Sequence, residues 1–405
     1  MEIPPPPEQA TRWRWRLLGV LGAIAVIAAL TVTAYRLGQE GPSGFVEMPV
    51  TGNSGAPTSG APAELDPLTE LYNELTAEAV NEPDSEALVE AAMEAMLEEL
   101  DDPYARYYDA ADYAAFSEEL DGTYSGVGME LQETGEGLFV VTVFPGTPAE
   151  AAGVEAGDQV IGVDGEDVRD EPIEAVVREV RGEEGTDVEL EVERDGETLE
   201  LSITRASIDI PRLDAEMLDD GLGYVRLFQF TGGAGDELLE AVGELVDEGA
   251  EGIVLDLRGN PGGLLSEAVR VASAFLSDEV VVRVVERAGE EEALESAGEA
   301  FDEIPLVVLV NEGTASASEI VAAAVQAAGR GEVIGEPTFG KGTVQTIKSL
   351  PGERGVKFTT AEYLTPAGDS IEDVGVKPDR EVAGEEEQLQ AAQEFLRSHL
   401  AGVAR

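Results

Sequence analysis

The chain has no cysteine and a single histidine, His399, among its 405 residues. Disulfides and thiolate chemistry are therefore excluded, because both require cysteine. Lysine is also scarce, since only four of the 25 basic residues are lysines, at positions 341, 348, 357 and 377. A serine nucleophile usually passes its proton to a histidine. A catalytic serine in this chain would need another base, because His399 lies in a polar C-terminal helix that we expect to face solvent.

Acidic residues outnumber basic ones by 84 to 25, which gives a formal net charge of −59. Such a surface repels nucleic acid, so we expect no nucleic-acid partner. An acid-rich, lysine-poor surface suits a high-salt environment, where charges are screened. An acidic bias in composition without salt adaptation explains the same counts. With 43% hydrophobic residues the chain can build cores, and its length suits two or three domains.

Residues 17–35 form an uncharged run of 19 residues, preceded by Arg12, Arg14 and Arg16 and followed directly by Arg36. A run of this length can just span a hydrocarbon core of about 30 Å. The excess of arginine before it predicts a cytoplasmic N-terminus and a membrane anchor over 1–40, with the remainder outside the cell membrane. A signal peptide cleaved near 32–34 is the alternative, and it would make the protein secreted.

Four regions with different patterns follow the anchor. Residues 41–64 are rich in Gly, Pro, Ser and Ala, which predicts a flexible linker. Residues 65–120 have apolar positions spaced by four, typical of amphipathic helices. Residues 121–205 alternate short strands with brief helices and predict a compact α+β module. From 206 to 383 apolar strands alternate with helices, which predicts a largely parallel, helix-covered sheet, and 384–405 predicts a final helix. The fold class is therefore multidomain, α/β and α+β.

Two loops that follow predicted strands carry the candidate chemistry, because sites in such folds gather at the carboxyl ends of the strands. In residues 256–263, DLRGNPGG, the glycines can point backbone N–H groups at one spot, as an oxyanion hole requires. An ordinary tight turn is the alternative interpretation. Residues 314–320, TASASEI, place two serines at the start of a predicted helix.

Lys341 is the candidate base. It lies between two glycines, directly after a predicted buried strand, in GEPTFGKGTVQ (335–345). Burial lowers the pKa of a lysine from its usual value of about 10.4, and a pKa near neutrality would make it a base. Gln345 follows four residues later and can form a hydrogen bond that holds the amine. These residues alone leave a catalytic and a structural lysine both open.

The chain resembles the carboxyl-terminal processing peptidases, also called tail-specific proteases. The resemblance is carried by DLRGNPGGLL (256–265), TASASEI (314–320), GEPTFGKGTVQ (335–345) and YLTPAGDSIEDVGVKPD (363–379). It runs from about residue 65 to residue 379. It implies a crotonase/ClpP-like αβ protease core with an inserted PDZ domain and an N-terminal helical segment.

Members of that family cleave peptide bonds with a serine–lysine pair and a helping glutamine. The resemblance implies that Ser316 is the nucleophile, that Lys341 is the general base and that Gln345 orients the lysine. It implies that the backbone N–H groups of Gly262 and Ala317 bind the oxyanion. It implies no metal and no cofactor.

Residues 124–129, YSGVGM, resemble the carboxylate-binding loop of PDZ domains. The N–H groups of such a loop can hold a free C-terminal carboxylate while the substrate adds as a strand beside residues 129–131. The tail-binding residues that follow from the resemblance are Gly126, Val127, Gly128, Met129, Leu131, Val177 and Val180. A PDZ fold used only for structure or dimer contacts is the alternative.

The sequence therefore predicts a membrane-anchored, extracytoplasmic serine endopeptidase that captures the C-terminal tails of proteins and cleaves near that end through an acyl-enzyme. The resemblance also implies a homodimer formed through residues 65–120 and the C-terminal helix. One alternative is a non-catalytic PDZ scaffold, which the intact Ser316, Lys341 and Gln345 disfavour. Another is an acyl-CoA enzyme of the related crotonase type, which has no reason to carry an anchor or a PDZ domain.

Overall fold

The structure is a computed structural model, and it describes residues 63–403 except 135–136, 170, 195, 219–220 and 299. The chain divides into two compact units. One is Gly122–Ile210, and the other combines the described residues up to Asp121 with those from Pro211 onwards. The predicted anchor, 17–35, lies outside the described residues. Within the described part, no helix is both long enough and apolar enough to cross a membrane.

Three helices and a short strand open the larger unit, after a turn of 3₁₀-helix at Ala63–Leu65: α1 (Asp66–Glu78), α2 (Ser85–Glu98), β1 (Arg106–Tyr108) and α3 (Ala110–Asp121). The predicted helical region is thus confirmed. Asp84 starts α2, because its carboxylate accepts the backbone N–H groups of Glu86 and Ala87. Neither α1 nor α2 contains a buried residue, whereas α3 buries Phe116.

The smaller unit contains a six-stranded sheet, a separate two-stranded ribbon and two short helices. Its elements are β2 (Thr123–Gly126), β3 (Met129–Thr134), β4 (Gly137–Val143), α4 (Pro148–Ala152), β5 (Gln159–Val163), β6 (Glu166–Asp167), α5 (Ile173–Val180), β7 (Asp187–Arg194), β8 (Glu197–Thr204) and β9 (Ala206–Asp209). The strand order is β3-β4-β5-β7-β8, β6 pairs with β5, and β2 pairs with β9 in a separate ribbon. Strand β3 therefore lies at the edge of the sheet. Strands β7 and β8 form a hairpin that is antiparallel over its whole length.

The core of the larger unit is a six-stranded sheet in the order β10-β11-β12-β15-β16-β19. These strands are β10 (Leu213–Met217), β11 (Gly223–Leu227), β12 (Ile253–Asp256), β15 (Leu306–Val310), β16 (Glu332–Gly335) and β19 (Arg380–Glu381). All neighbouring pairs are parallel except β10 with β11. Every residue of β12 and β15 is buried, as expected for parallel strands covered on both faces. The predicted parallel sheet is confirmed.

A second sheet of the larger unit is antiparallel and contains β1, β13 (Val280–Glu286), β14 (Glu291–Glu295), β17 (Thr343–Leu350) and β18 (Arg354–Leu364). The alternation of strand and helix over 206–383 predicted that β13 belongs to the parallel sheet, and this prediction is wrong. Strand β13 pairs antiparallel with β14 on one side and with β18 on the other, and neither of these strands belongs to the parallel sheet.

Four helices complete the larger unit: α6 (Ala234–Asp247), α7 (Leu265–Ser273), α8 (Ala317–Ala327) and α9 (Glu385–Val403). We expected the last helix to face solvent, and this is wrong for one of its faces. Ala392 and Leu396 are fully buried in a cluster with apolar residues of β12, β15 and β16. The apolar stripe is difficult to recognise in the sequence because charged and polar residues separate its members. His399 is exposed, as expected.

Candidate active site

Ser316 ends the loop that connects β15 with α8, and it lies directly before the first helical residue. Its φ of 55° and ψ of −115° are unusual for a residue with a side chain, and such strain is typical of functional sites. The residue is fully buried. Its hydroxyl forms no hydrogen bond within the described part of the chain. The serine therefore lies at a helix N-terminus, where backbone N–H groups favour a developing negative charge.

Glu319 joins the serine loop to the lysine loop. One of its carboxylate oxygens accepts the backbone N–H of Ser316 at 2.8 Å and that of Lys341 at 2.9 Å. The other accepts the N–H of Gly340 at 2.8 Å and the hydroxyl of Thr338. Because one oxygen accepts both N–H groups, the backbone nitrogens of Ser316 and Lys341 lie no more than two hydrogen-bond lengths apart in space. The structure thus brings the two predicted residues together.

The ammonium group of Lys341 is buried, and the whole residue is only 1% exposed. This burial, with the nearby charge of Lys357 as the second cause, lowers the pKa of Lys341 from 10.5 to about 7. The carboxylates of Glu372, Asp102 and Glu319 act in the opposite direction. The burial that the sequence suggested for this lysine is confirmed. A side chain with this pKa is half neutral at physiological pH, as a general base must be.

Gln345 is fully buried on β17. Its amide nitrogen donates to the hydroxyl of Thr343 at 2.9 Å and to that of Thr359 at 3.3 Å. Its amide oxygen has no hydrogen-bond partner among the described residues. A buried acceptor without a partner is costly, so this oxygen is available for a donor such as a protonated amine.

The glycine-rich loop after β12 approaches the serine closely. A Cβ on Gly262 would lie 2.8 Å from the Cβ of Ser316 and 2.9 Å from the backbone nitrogen of Ala317, and its φ is +101°. Only glycine fits there. The N–H of Gly262 donates to the side chain of Asn260 at 2.9 Å, which the sequence did not reveal. The N–H of Ala317 has no acceptor within the described part of the chain.

The neighbouring Gly263 offers a second backbone donor. It pairs with Phe230 in a parallel β-bridge. The N–H of Phe230 donates to the carbonyl of Gly262, and the N–H of Leu264 donates to the carbonyl of Phe230. The N–H of Gly263 therefore points away from Phe230. It has no acceptor among the described hydrogen bonds. Two backbone donors, on Ala317 and Gly263, are thus available in the loops around the serine.

The predicted tail-binding residues all lie in the smaller unit around the start of β3. Val127, Leu131 and Val180 are buried in its apolar cluster, and Met129 and Val177 pack against that cluster. Gly126 is the last residue of β2, and Val127 and Gly128 connect β2 with β3; Gly128 has a φ of +83°. The N–H groups of Val127 and Gly128 have no acceptor among the described contacts.

Glu319 was not among the site residues predicted from the sequence, although the sequence contains a signal for it. Ser316 and Glu319 have the Ser-x-x-Glu spacing of a capping box, in which the glutamate accepts the backbone N–H at the start of a helix. Asp102 and Tyr104, which reach the lysine from the region before α3, had no such signal. No group of three or more side chains suited to a metal ion occurs among residues 63–403 as described.

A parallel sheet covered by helices, with a strained serine at a helix N-terminus beside a buried lysine of near-neutral pKa, is the arrangement of a serine hydrolase. Comparisons with known proteins narrow this class. The model of peptidase family S41 matches residues 221–382, a PDZ domain model matches 139–194, and the model of the activating protease CtpB N-terminal domain matches 33–112.

Relatives cover most of the chain. It is 36% identical over 335 residues to the carboxy-terminal processing protease CtpA of Bacillus subtilis (strain 168), a match that covers 81% of this chain and 72% of that protein. It is 40% identical over 298 residues to a carboxyl-terminal-processing protease of a Picosynechococcus strain, with 72% of each chain covered.

Solved structures agree with these relatives. The photosystem II D1 C-terminal processing protease matches with a TM-score of 0.51 and 32% identity over 82% of this chain and 98% of that chain. An S41 protease of Bacteroides fragilis matches with a TM-score of 0.51 and 18% identity over 84% of this chain and 99% of that chain, which supports the fold. The chain belongs to the carboxyl-terminal processing proteases of peptidase family S41, which are serine-type peptidases.

Proposed function

We propose that this chain is a serine endopeptidase in which residues 206–383 cleave protein substrates that residues 121–205 capture by their C-terminal tails. The observation that carries the proposal is the buried Lys341, whose pKa lies near 7 and whose loop is tied to that of Ser316 by one carboxylate. This pair supplies a nucleophile and a base in a chain whose single histidine is exposed at the far end.

In the proposed reaction the neutral amine of Lys341 takes the proton of the Ser316 hydroxyl while Oγ attacks the scissile carbonyl. The amide oxygen of Gln345 accepts a hydrogen bond from the ammonium that forms. The lysine then gives its proton to the leaving amine, and water hydrolyses the acyl-enzyme by the same steps.

The oxyanion of this reaction is assigned to the backbone N–H of Ala317 and to the glycine loop. Gly262 is the donor implied by the family resemblance, but its N–H must first break its hydrogen bond to the side chain of Asn260. Gly263 is the alternative, because its N–H already lacks an acceptor within the described residues. Either glycine supplies a donor without a side chain in the way.

Capture of the tail is assigned to the edge of β3. This edge strand can accept an extended peptide as an added strand, and the N–H groups of Val127 and Gly128 can hold its terminal carboxylate. Met129 and Val177 are partly buried next to the apolar cluster and are suited to contact the final side chain of the tail. A non-catalytic scaffold is disfavoured, because Ser316, Lys341 and Gln345 are all present and buried.

The decisive assay measures cleavage of an unfolded reporter protein with an apolar tail by the full chain in detergent. Ser316→Ala and Lys341→Met should each abolish turnover. Ser277→Ala is the control for loss of a serine, since its hydroxyl donates to the exposed Asp302 carboxylate, outside the site. Lys348→Met, an exposed lysine on β17, is the matched control for the base. Full activity of either site variant would contradict the mechanism.

A second assay tests the tail. Amidation of the reporter's C-terminus removes the carboxylate, so the specificity constant should fall while cleavage of an internal, tail-independent peptide should not change. Gly128→Ala should have the same effect, because a Cβ at this position would lie 2.3 Å from Thr147 and the φ is +83°. Equal turnover of amidated and free reporters would remove the proposed role of residues 121–205.

We also propose that residues 17–35 anchor the protein in the cell membrane, with the protease outside, or that they are cleaved to secrete it. The run of apolar residues after three arginines supports this location. Fractionation of cells that express the full chain, with a tag at each end, distinguishes the two outcomes. A full-length soluble cytoplasmic product would contradict both.

A homodimer is proposed through α1 and α2. Leu68, Leu71 and Leu75 of α1 are 37% to 51% exposed, which leaves an apolar stripe on the surface. Light scattering on the purified chain should give the mass of a dimer, and Leu71→Glu should reduce it to that of a monomer. A monomeric parent at micromolar concentration would contradict this proposal.

A further inference from the structure

The region before the smaller unit reaches the catalytic lysine. Residues 102–105 form a turn, in which the N–H of Ala105 donates to the carbonyl of Asp102 at 3.1 Å. Proline at the second position suits this turn. The turn leads into β1, which pairs with β18 so that Arg106 faces Lys357. The ring of Tyr104 lies over the amine of Lys341, with Nζ 4.3 Å from the ring centroid.

Asp102 ties the same turn to the strand that neighbours Gln345. Its carboxylate accepts the backbone N–H of Thr359 at 2.7 Å, the hydroxyl of Thr359 at 3.1 Å and the N–H of Tyr104 at 3.0 Å. Since the hydroxyl of Thr359 donates to Asp102, its lone pairs remain for the amide nitrogen of Gln345, 3.3 Å away. This fixes which end of the Gln345 amide is the acceptor.

The turn is held in place by packing. Tyr108 stacks on Phe116 of α3, with ring centroids 4.6 Å apart. Tyr113 of α3 lies so close to β18 that a Cβ on Gly355 would be 2.0 Å from its ring. The region before the smaller unit is therefore docked on β18, the strand that pairs with β17 and Gln345.

We propose that Asp102 and Tyr104 are positioning residues of the active site, in which Tyr104 covers the Lys341 amine and Asp102 orients Thr359 and thereby Gln345. The region before the smaller unit then completes the catalytic site as well as contributing helices. Two contacts carry the proposal independently: the ring over the amine, and the carboxylate that accepts both donors of Thr359. It rests on the proposed roles of Lys341 and Gln345.

Three substitutions of Tyr104 separate its two effects on the lysine. Tyr104→Leu still shields the Lys341 amine from water but removes the aromatic face that favours the charged amine. The acidic limb of the kcat/KM profile should therefore move to lower pH by about one unit. Tyr104→Ala admits water to the amine, so the limb should move to higher pH by about one unit or more, because burial is the main cause of the low pKa. Tyr104→Phe keeps ring and cover, and its limb should match the parent's.

The assay is turnover of the unfolded reporter by the full chain in detergent between pH 5.5 and 9, with thermal unfolding as the check on folding. Tyr72→Ala, on α1, is the control for loss of a tyrosine in the same region. Limbs that stay at the parent's pH in the Leu and Ala variants, or that move in the same direction in both, overturn the role of Tyr104.

A double-mutant cycle tests Asp102. Asp102→Asn should lower kcat/KM about tenfold, the size expected for one charge-assisted hydrogen bond. In a Thr359→Val background the same substitution should cause a clearly smaller loss, because the hydroxyl through which Asp102 acts on Gln345 is already gone, while the two backbone N–H donors to Asp102 remain. Losses that simply add overturn the role of Asp102. Parent turnover and an inactive Ser316→Ala variant establish the peptidase mechanism separately, so failure of the cycle or of the Tyr104 series leaves the proposed function intact.

Discussion

Lys341→Met should make the protein inactive and, at pH 6, more stable. In the unfolded chain this lysine keeps its proton up to about pH 10.5, whereas in the folded protein it loses the proton near pH 7. Between these values the unfolded state binds one proton more, so the free energy of unfolding of the parent rises with pH. Below pH 7 the lowered pKa costs folding about 4 to 5 kcal/mol, at about 1.4 kcal/mol per unit. Methionine has a similar length and no charge to bury, so the variant escapes this cost.

Scanning calorimetry of the full chain in detergent, at intervals from pH 6 to pH 10, measures the difference. About 4 kcal/mol corresponds to a rise of roughly 10 °C in the unfolding midpoint of a unit of this size, and the rise should shrink as the pH approaches 10. Comparison of parent and variant at each pH cancels the titration of the other groups. Lys348→Met, at an exposed position, should leave the midpoint unchanged at every pH. A midpoint for Lys341→Met below the parent's at pH 6, or a difference that does not depend on pH, would refute the reasoning.

Three further predictions concern the site and the final helix. The kcat/KM of the parent should rise about tenfold per pH unit below pH 7 and level off above it, because Lys341 must be neutral; a profile flat from pH 5.5 to 8 would contradict this. Glu319→Gln replaces one acceptor oxygen by an N–H donor that faces two other donors, so kcat/KM should fall about 100-fold and the free energy of unfolding by about 2 to 3 kcal/mol. Turnover and calorimetry measure these losses, and Glu312→Gln, at an exposed loop position, is the control. Leu396→Ala should lower stability by about 2 to 5 kcal/mol, because this α9 side chain is fully buried, while exposed His399→Ala should have little effect.

Much of the fold followed from local patterns. The buried strands β12 and β15 are short continuous apolar runs between helices, which is what parallel strands require. The hairpin of β7 and β8 and the helix α5 were equally clear from alternation and amphipathic spacing. The errors came where neighbours decide the outcome. Strand β13 has the composition of a parallel strand, but it pairs antiparallel with β14 and β18. Helix α9 has a narrow apolar stripe that is explained only by the sheet on which it packs.

The candidate site divides in a similar way. Lys341 became a candidate because histidine is scarce, and Ser316 because its motif resembles that of the family; their catalytic roles stay a prediction. The segment around Lys341 indicated that the lysine is buried, but which charges act on its pKa depends on residues far along the chain, such as Asp102, and no local pattern encodes them. The hydrogen bond from the N–H of Gly262 to the side chain of Asn260 was not predicted either, because it depends on the conformation of that side chain in the loop.

The sequence by itself determined which groups are present to react: a chain without cysteine and with a single histidine near its C-terminus has lysine as the candidate base for a serine. It also determined the strands and helices whose periodicity is strong. Only the tertiary structure decided that one carboxylate, on Glu319, bonds the main chain of both Ser316 and Lys341, and that Tyr104 lies over the amine. The physical reason is that hydrogen bonds and desolvation act over a few ångströms in space, and distance along the chain does not limit them.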